Sequence, residues 1–253
     1  MPKEVVYEPP TTRLVLPPGV LNICPGCGHY LVTTLICQAI EELGIQDRTM
    51  HVNSIGCAAI CGAIIMEDWC GCSHGTAPAV ATGLKRVHPD AVVFTMQGDG
   101  DAIAIGAGAL INAAARAEKV TVFMLNNTNY GTTGGQQAPT TLLNQVTATT
   151  PEGRDASRDG YPIHTAELLA SMKSVAYSAR GAVNSPKNFQ ATKKFVKAAF
   201  QRQMENVGFT FVEILSQCPT NWHKQPVEAA KWVDDVVTKE FPLGEFKNVD
   251  SLD

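Results

Sequence analysis

Hydrophobic and polar positions along this chain form two kinds of pattern, which predict strands and helices in alternation. Short apolar runs rich in β-branched and aromatic residues are typical of buried strands. They cover residues 50–53, 91–97, 120–125 and 209–215. Apolar residues spaced three and four apart predict a core-facing helix around Leu31 to Ile40 that ends at Gly44. We also expect helices over residues 102–116, 165–178 and 186–206.

Strands separated by helix-length segments indicate a doubly wound α/β fold with a mainly parallel sheet. We divide the 253 residues into a proline-rich, extended N-terminal arm (1–20), one α/β domain (21–221) and a C-terminal arm (222–253). An apolar content of 45% is enough for one large core at this length.

Charge and composition argue against several classes of partner. The net charge is −4 and the Lys and Arg residues are scattered, so we expect no nucleic-acid partner. No apolar run is long enough to span a bilayer, and the acidic N-terminus does not fit a signal peptide. We therefore expect a cytoplasmic protein with no membrane partner.

Two polar segments follow neighbouring predicted strands. The turn Gly-Asp-Gly-Asp at 98–101 comes after one strand, and the pair Asn-Asn at 126–127 comes after the next. Both belong at the carboxyl edge of a parallel sheet, where ligands collect. The carboxylate of Asp99, the amide oxygen of Asn127 and nearby backbone carbonyls suit Mg²⁺. The glycine backbone and the amides at the start of the following helix favour a phosphate, so we predict a metal–diphosphate site.

The chain has eight cysteines, and in a reducing cytosol they serve metal binding, catalysis or packing rather than disulfides. Cys24 and Cys27 form a Cys-x-x-Cys in a Pro-Gly turn, which is equally compatible with half of a zinc site, a redox pair or an iron–sulfur cluster. Cys57 and Cys218 each follow a predicted strand. They therefore belong at the same edge of the sheet as the metal–diphosphate site, and zinc would accept the same four thiolates.

The other four cysteines have simpler interpretations. Cys37 lies on the core-facing helix, and Cys61 is similar, so we expect buried structural thiols there. Cys70 and Cys72 are separated by one residue. We favour packing or a subunit contact for this pair over a second metal or redox site.

The spacing of these motifs carries a family resemblance. Gly-Asp-Gly followed after a helix-length segment by Asn-Asn resembles the thiamine diphosphate motif of transketolases, 2-oxoacid decarboxylases and 2-oxoacid oxidoreductases. With Asn-Tyr-Gly-x-Thr-Gly-Gly-Gln at 129–136 and Cys-Pro-Gly-Cys-Gly-His at 24–29, nearly the whole chain resembles the β subunit of 2-oxoacid:ferredoxin oxidoreductases. Segments 133–141 and 150–155 are most similar to the branch acting on branched-chain 2-oxoacids.

The resemblance implies thiamine diphosphate, Mg²⁺ and a [4Fe-4S] cluster as cofactors. The implied thiamine diphosphate contacts are Ile55, Gly56, Cys57, Ala58, His74, Gly98, Gly100, Asp101, Asn126, Gly131 and Thr132. The implied Mg²⁺ ligands are Asp99, Asn127 and the backbone carbonyl of Asn129. The implied cluster ligands are Cys24, Cys27, Cys57 and Cys218. Thr76 stands where the family usually has an arginine after His-Gly, and a threonine does not replace a charged fork.

The resemblance also implies a reaction and a set of partners. The reaction is oxidative decarboxylation of a 2-oxoacid to acyl-CoA and CO₂, with electrons passing through the cluster to ferredoxin. An α or fused α/γ subunit is expected to bring the activating glutamate, and ferredoxin or a ferredoxin-like subunit is expected to be a separate chain, because this one lacks the dicluster cysteine motif. Two alternatives stay open: a non-redox thiamine diphosphate decarboxylase or lyase with structural zinc, and a noncatalytic assembly subunit.

Overall fold

The computed structural model describes residues 11–14 and 23–252, and its centre is a seven-stranded sheet. The strands are β1 Thr49–Asn53, β2 Asp68–Gly71, β3 Val92–Gly98, β4 Thr121–Asn126, β5 Asn129–Tyr130, β6 Gln136–Gln137, β7 Val175–Ala182, β8 Phe209–Leu215 and β9 Gly244–Asn248. The order is β2-β1-β3-β4-β8-β7-β9, with every pair parallel except β7 and β9. Strands β5 and β6 form a separate antiparallel hairpin. The predicted mainly parallel α/β class is confirmed.

Helices cover both faces of the sheet. They are α1 Gly28–Leu43, α2 Cys57–Gly62, α3 Ala77–Val87, α4 Ala107–Ala115, α5 Ala156–Asp159, α6 Thr165–Ala170, α7 Pro186–Met204, α8 Pro219–Trp222, α9 Pro226–Trp232 and α10 Thr238–Glu240. A short 3₁₀ helix covers Gln46–Arg48, and Asp101–Ile105 and Val233–Val237 are π-helical. Helix α1 ends at Gly44, which is in the left-handed conformation, as its sequence predicts.

A hydrophobic core lies on each face of the sheet, because successive side chains along a strand point to opposite faces. Phe94 and Phe123 face α1 and α7, where both meet Phe200 edge-on. Val93 and Val122 face the opposite way, toward α3, α4 and α6. Because both faces are covered there, the central parallel strands β3, β4 and β8 are buried along nearly their whole length. Their carboxyl ends are left to carry the polar site.

The helix predicted over residues 165–178 is wrong in its second half. Helix α6 ends at Ala170, and β7 begins at Val175 as a strand that is buried along its whole length. The strand is hard to recognise because it is built largely from small residues and carries Arg180, a charge that is unusual in a buried strand. That charge is matched by acidic residues elsewhere in the chain, which is described below.

The crossover helix predicted over residues 102–116 is broken into a π-helical turn and helix α4, which meet at Gly106. The break brings the backbone of Gly106 against Gly75, where a Cβ added at Gly75 would lie 2.7 Å from the Gly106 nitrogen. Gly75 also has φ +80°, a conformation that L side chains rarely adopt. The close contact fixes the His74–Gly75 turn beside the start of the crossover.

Of the two predicted arms, the structure describes a small part of the N-terminal one and nearly all of the C-terminal one. Most of the N-terminal arm lies outside the described residues; within it, Leu14 forms a bridge with Ile65. Beyond residue 222, α9 follows α8 closely and β9 adds to the sheet beside β7. The division into one domain and two arms stays a prediction. In the described part of the chain, every helix is too short or too polar to cross a membrane.

Candidate cofactor and metal site

A cavity of about 120 Å³ opens at the carboxyl ends of β1, β3 and β4. It gathers the predicted thiamine diphosphate and Mg²⁺ residues from four separate segments. Its lining includes Ile55, Gly56, Cys57, Ala58, His74, Gly98, Asp99, Gly100, Asp101, Asn127, Asn129, Gly131 and Thr132. Asn126 is the one residue of those two predicted sets that is not part of the lining.

Three oxygen-bearing groups converge at the floor of this cavity. One arm of the Asn127 side-chain amide lies 2.7 Å from the backbone oxygen of Asn129 and 3.2 Å from a carboxylate oxygen of Asp99. With the amide nitrogen in that place, Asn127 donates to both oxygens. With the amide oxygen there, three oxygens face one point, which is the hard donor set that Mg²⁺ takes. The residues present therefore fit the predicted metal.

Asp99 is held in place by its neighbours rather than by solvent. It is buried, and the hydroxyl of Thr140 donates to its second carboxylate oxygen. Burial raises the pKa of Asp99 to about 7, while hydrogen bonds from Thr140 and the Gly100 amide act in the opposite direction. A cation beside this carboxylate would favour the ionised form. Thr140 is absent from the sequence predictions, because no motif links it to a residue that lies 41 positions earlier.

The segment 127–131, here called the metal loop, turns sharply at Thr128. This residue has φ +58°, which is rare for a β-branched side chain. The turn is stabilised by Thr141, whose hydroxyl donates to the Thr128 carbonyl at 2.6 Å, and by Gln145, which donates to the Thr128 hydroxyl at 2.8 Å. The strained turn directs both Asn127 and Asn129 to the same side.

Asn126 points away from the cavity and supports the metal loop from behind. Its amide nitrogen donates to Glu213 at 2.7 Å, and its amide oxygen accepts from the backbone N–H of Thr128 at 3.0 Å. Glu213 in turn accepts from Arg180 at 2.9 Å, and both of these charged side chains are fully buried. Glu213 therefore supplies the negative charge that balances Arg180 in the buried strand β7.

Arg180 extends this network to the C-terminal segment. Besides Glu213, it donates at 2.7 Å to Glu167 and at 3.0 Å to the carbonyl of Pro242. The guanidinium also lies 5.2 Å from the ring centroids of Phe241 and Phe246. The metal loop is thus connected through buried side chains to residues at the far edge of the sheet.

Asp101 and His74 hold each other at the opposite wall of the cavity. One carboxylate oxygen of Asp101 contacts the His74 ring nitrogen Nδ1 and accepts from the Gly75 amide at 2.6 Å. The other oxygen accepts from Gln97 at 2.9 Å. The carboxylate of Asp101 therefore fixes the His74–Gly75 turn. Thr76, at the predicted arginine position, is exposed and its hydroxyl donates to Ser73 within the same turn.

Tyr130 lies directly over Gly100 and closes this side of the metal loop. A Cβ added at Gly100 would lie 2.2 Å from the Tyr130 ring, so only glycine fits there. The Tyr130 hydroxyl donates to the Gly100 carbonyl at 3.2 Å. The glycine of the acidic turn is needed here for close approach of a ring as well as for any phosphate.

The four cysteines predicted as cluster ligands lie at the neighbouring end of the cavity. We call Cys24, Cys27, Cys57 and Cys218 the cysteine corner. The Cys27 amide donates to the Cys24 carbonyl at 3.0 Å, which closes the turn between them. The next amide, that of Gly28, donates at 2.9 Å to Gln217, so this turn is tied to the residue before Cys218.

Cys57 connects this corner to the cavity. It is the first residue of α2, and its sulfur lies 3.0 Å from the Thr132 hydroxyl. Burial raises the pKa of Cys27 to about 12 and also raises the pKa values of Cys57 and Cys218. The other cysteines of the corner contribute to these increases, because they lie near enough for one thiolate to disfavour another.

The thiols are near one another but are not grouped around one point. Within residues 11–14 and 23–252, no three His, Cys, Asp or Glu side chains are placed to hold a single metal ion. A zinc ion or a four-iron cluster would take the same four thiolates as ligands, and the two groups differ in how closely they would bring the sulfurs together.

His29 lies beneath the corner, and its ring nitrogen Nδ1 shares a 2.9 Å hydrogen bond with the Ser216 hydroxyl. Complete burial lowers the pKa of His29 to about 4, so the ring is neutral. Cys37 and Cys61 are buried. Cys70 and Cys72 are partly buried and pack at the margin of the core beside α3, which agrees with the packing interpretation of that pair.

Two further residues contact the metal loop and are absent from the sequence predictions. Asn221 donates to the Gly131 carbonyl at 3.0 Å, and the Trp222 indole donates to the Asn127 carbonyl at 3.1 Å. Their position directly after Cys218 was the one signal in the sequence that pointed to the site. Nothing in the local pattern identifies which loop they reach, since the contacts span 90 residues or more.

Comparison with known proteins agrees with this geometry. Residues 54–214 match the family described as thiamine pyrophosphate enzyme, C-terminal TPP binding domain. The chain is 40% identical over 260 residues to the ketoisovalerate oxidoreductase subunit VorA of Methanothermobacter thermautotrophicus, covering 98% of this chain and 53% of that protein. This chain therefore spans about half the length of VorA.

Two other relatives are covered more fully. The 2-oxoglutarate synthase subunit KorB of the same organism is 35% identical over 247 residues, with 89% of this chain and 82% of that protein covered. A structure of the 2-oxoglutarate:ferredoxin oxidoreductase from Magnetococcus marinus, with 2-oxoglutarate, coenzyme A and succinyl-CoA bound, superposes with a TM-score of 0.76. Its sequence is 25% identical, and the match covers 98% of this chain and 87% of that one.

Proposed function

The chain belongs to the thiamine diphosphate-binding subunits of the 2-oxoacid oxidoreductases, and from this premise we propose that it is the catalytic β subunit of a 2-oxoacid:ferredoxin oxidoreductase. The proposed reaction is oxidative decarboxylation of a 2-oxoacid with coenzyme A, giving acyl-CoA and CO₂. Two electrons leave through a [4Fe-4S] cluster to ferredoxin. The family resemblance expected from the sequence is confirmed by these relatives.

The observation that carries the proposal is the convergence of Asp99, Asn127 and the Asn129 carbonyl on one point of the cavity. We assign these three groups as the residues that would hold Mg²⁺, an ion that usually takes its other ligands from phosphates and water. Gly98 leaves the backbone open to the phosphates, whereas the space beside Gly100 is taken by the Tyr130 ring. Bound thiamine diphosphate supplies the electron sink that decarboxylation of a 2-oxoacid requires.

The other walls of the cavity have distinct roles in this assignment. His74, fixed by Asp101, lies beside the acidic turn and is assigned as a cofactor contact. Ile55, Gly56, Ala58, Gly131 and Thr132 supply the remaining wall. Asn126 acts through the metal loop, since its side chain is bonded to Glu213 and Thr128 and does not line the cavity.

We assign Cys24, Cys27, Cys57 and Cys218 as ligands of the [4Fe-4S] cluster. The cysteines influence one another's pKa values, which supports their proximity. Cys57 lies both in this corner and in the cavity lining, so a cluster held by these thiolates would lie next to the cofactor cavity. A thiolate ligand set of this kind matches the tetrathiolate ligation of such clusters.

The cavity needs a partner subunit to be complete. Its volume of about 120 Å³ is well below the roughly 300–1,000 Å³ of typical ligand sites. No glutamate of the described residues lines it, and we assign the glutamate that activates the thiazolium ring to an α or fused α/γ partner. Ferredoxin or a ferredoxin-like subunit is the electron acceptor, and the assembled enzyme is cytoplasmic.

The substrate class is narrowed by the relatives. VorA, named for ketoisovalerate, is 40% identical to this chain, while KorB, named for 2-oxoglutarate, is 35% identical. We propose a branched-chain 2-oxoacid as the substrate.

The experiment that tests the proposal is the iron, acid-labile sulfide and zinc content of protein purified anaerobically, beside the Cys218→Ser variant. About four irons and four sulfides per chain, lost in the variant, are expected for the cluster. One zinc and no sulfide would overturn the redox function and favour a non-redox thiamine diphosphate lyase. Failure to bind thiamine diphosphate with Mg²⁺ and partner present would leave only the noncatalytic assembly role.

A further inference from the structure

The short helix α8 begins directly after Cys218, which is its N-terminal cap, and sends two consecutive side chains into the metal loop. The Asn221 amide donates to the Gly131 carbonyl at 3.0 Å and to the Asn129 side-chain oxygen at 3.3 Å. The Trp222 indole donates to the Asn127 carbonyl at 3.1 Å. One turn of helix therefore connects a cysteine of the corner to both ends of the metal loop.

These contacts determine which way the loop carbonyls point. The carbonyls of Asn127 and Gly131 both accept hydrogen bonds from α8. Between them, the carbonyl of Asn129 faces the Asn127 amide and Asp99. The Asn129 side chain also donates at 2.7 Å to the Asn127 carbonyl, so the loop is held by three side-chain amide or indole N–H groups.

The same residues surround the Cys218 sulfur. The Cys218 thiol is buried, and the nearby Asn221 backbone and Asn129 side chain act to lower its pKa, against the effect of burial. The metal loop also lies against a second cysteine of the corner, since a Cβ added at Gly131 would lie 3.0 Å from the Cys57 sulfur. The Asn129 side chain therefore lies between the metal loop and the corner. A movement of this amide changes the surroundings of both.

Helix α8 is well suited to keep this geometry. A Cβ added at Gly135 would lie 3.0 Å from the Asn221 side chain, so Asn221 is wedged against the next turn of the hairpin loop. Trp222 packs edge-on against Trp232, with ring centroids 4.4 Å apart. Each side chain is thus restrained on the side that does not contact the metal loop.

We propose that Asn221 and Trp222 are positioning residues that couple the Mg²⁺–diphosphate site to the cluster by holding the metal loop against Cys218. The inference rests on the proposed function, because it takes the metal loop and the cysteine corner as the two cofactor sites. It adds that Asn221 and Trp222 each act on both sites: a change in either side chain alters metal affinity and the properties of the cluster together.

The test compares Asn221→Ala and Trp222→Phe with Thr220→Ala in enzyme purified anaerobically through a tag on this chain, so that its partner copurifies. Thr220 is the matched control, since it is exposed on the same helix and its hydroxyl makes no hydrogen bond in the described part of the chain. Trp222→Phe removes the indole donor and keeps an aromatic ring against Trp232. The measurements are thiamine diphosphate binding by calorimetry across a Mg²⁺ titration, and the midpoint potential and EPR spectrum of the reduced cluster.

We expect Asn221→Ala to weaken Mg²⁺-dependent binding by about tenfold, the lower end of what loss of an outer-shell contact costs a metal site. Trp222→Phe, which loses one neutral hydrogen bond, is expected to weaken it by about threefold to fivefold. In both variants the reduced cluster is expected to change its EPR g values and its midpoint potential, because the hydrogen bonding and solvent exposure around the cysteine sulfurs set both and the loosened loop alters them.

A shift in binding with an unchanged cluster spectrum, or the reverse, would overturn the coupling while leaving the proposed function intact. Equal shifts in Thr220→Ala would also overturn it, since they would come from the helix as a whole. Wild-type enzyme that holds neither cofactor would remove the proposed function and the coupling together.

Discussion

The metal loop with Asp99 and the cysteine corner lie side by side at one edge of the sheet, but they are organised differently. On the metal side, buried polar groups already have fixed partners: Thr140 holds Asp99, and Gln145 holds Thr128. On the cysteine side, Cys24 is exposed and Cys218 is buried, and three of the four thiols have raised pKa values. The side chains of the metal loop and Asp99 are therefore already held in place by the fold.

The difference shows how ready the side chains of each region are to become metal ligands. Asp99 needs only to lose a proton or a hydrogen bond to become a ligand, because its neighbours are already in place. The cysteines must lose protons to become ligands, and burial raises the pKa values of Cys27, Cys57 and Cys218. In the proposed function, the cluster itself would favour these thiolates and so complete the second region, as metals commonly do for thiolate sites.

The largest expected effect is on cofactor binding at the metal side and comes from a change at Asp99. Asp99→Asn should weaken Mg²⁺-dependent thiamine diphosphate binding by more than about 100-fold, beyond the range seen for outer-shell changes. The fold should tolerate it, because an amide of the same shape replaces a carboxylate that burial already disfavours in its charged form. The measurements are calorimetry for binding and the melting temperature of the cofactor-free protein.

Asp90→Asn is the matched control for that change, since Asp90 is exposed and does not line the cavity. We expect its binding to stay within about twofold of wild type, the range for a surface change away from the site. A cofactor-free melting temperature that drops sharply in Asp99→Asn would mean that the carboxylate is structural, and the metal side would then not be arranged as described.

The next effect belongs to the cysteine side. Cys24→Ser should reduce iron and sulfide from about four of each per chain, because one of four thiolate ligands is removed. Thiamine diphosphate binding should remain close to wild type, since Cys24 is exposed and lies outside the cavity lining. Iron and sulfide analysis and calorimetry on the same preparation check both halves. Cys72→Ser, with a partly buried thiol elsewhere in the chain, is the control.

Loss of both cofactors in Cys24→Ser would break the comparison, because it would show that the metal side also depends on the cluster. Retention of iron in this variant together with loss in Cys218→Ser would reassign the fourth ligand.

The sequence predicted features that depend on local patterns and missed features that depend on contacts between residues far apart in the chain. Strand β8 was predicted with its observed bounds, and Asp99 and Asn127 were found from a motif, since strand ends and turns leave local patterns. The helix predicted over 165–178 ran into the first four residues of strand β7, which are mostly small, and the rest of the strand was not predicted, because the partner that makes Arg180 acceptable, Glu213, lies 33 residues away. Burial of a charge is decided by tertiary pairing, which no local period reports.

The residues that hold the site were harder to predict than those that line it. The cavity lining comes from motif positions, whereas Thr140, Asn221 and Trp222 approach from loops and a one-turn helix. The role of Asn126 was also different from expectation: it belongs to the predicted motif but bonds to Glu213 behind the loop. A motif identifies which residues recur, and the fold decides which of them face the ligand.

The buried pair Glu213 and Arg180 gives a smaller effect on the metal side and a large one on stability. Glu213→Leu should destabilise the protein by about 3–5 kcal/mol, because it leaves Arg180 short of a buried counter-charge. The double variant Arg180→Met with Glu213→Leu should recover most of that stability, as apolar replacements of buried pairs often do. Denaturant unfolding of the cofactor-free proteins measures both.

The double variant then separates the effect on the position of the metal loop from the effect on protein stability. Asn126 loses its acceptor, so the metal loop should bind Mg²⁺ about tenfold more weakly even though the protein is stable. Wild-type metal affinity in the double variant would show that the other contacts, from Thr141, Gln145, Asn221 and Trp222, hold the loop without Asn126. The cysteine side should keep its iron content in either case.

The smallest effect tests how much of the metal side is set by contacts at its rim. Tyr130→Phe keeps the ring over Gly100 and removes only the hydrogen bond from the hydroxyl to the Gly100 carbonyl. A bond of this kind contributes about 1 kcal/mol, so the melting temperature should fall by roughly 2–4 °C at this chain length. Metal affinity should change by less than about threefold, because the ring still fixes the close approach. A tenfold loss would mean that the Gly100 carbonyl, and not the three converging oxygens alone, orients the diphosphate, and the metal side would then depend on its rim as much as on its floor.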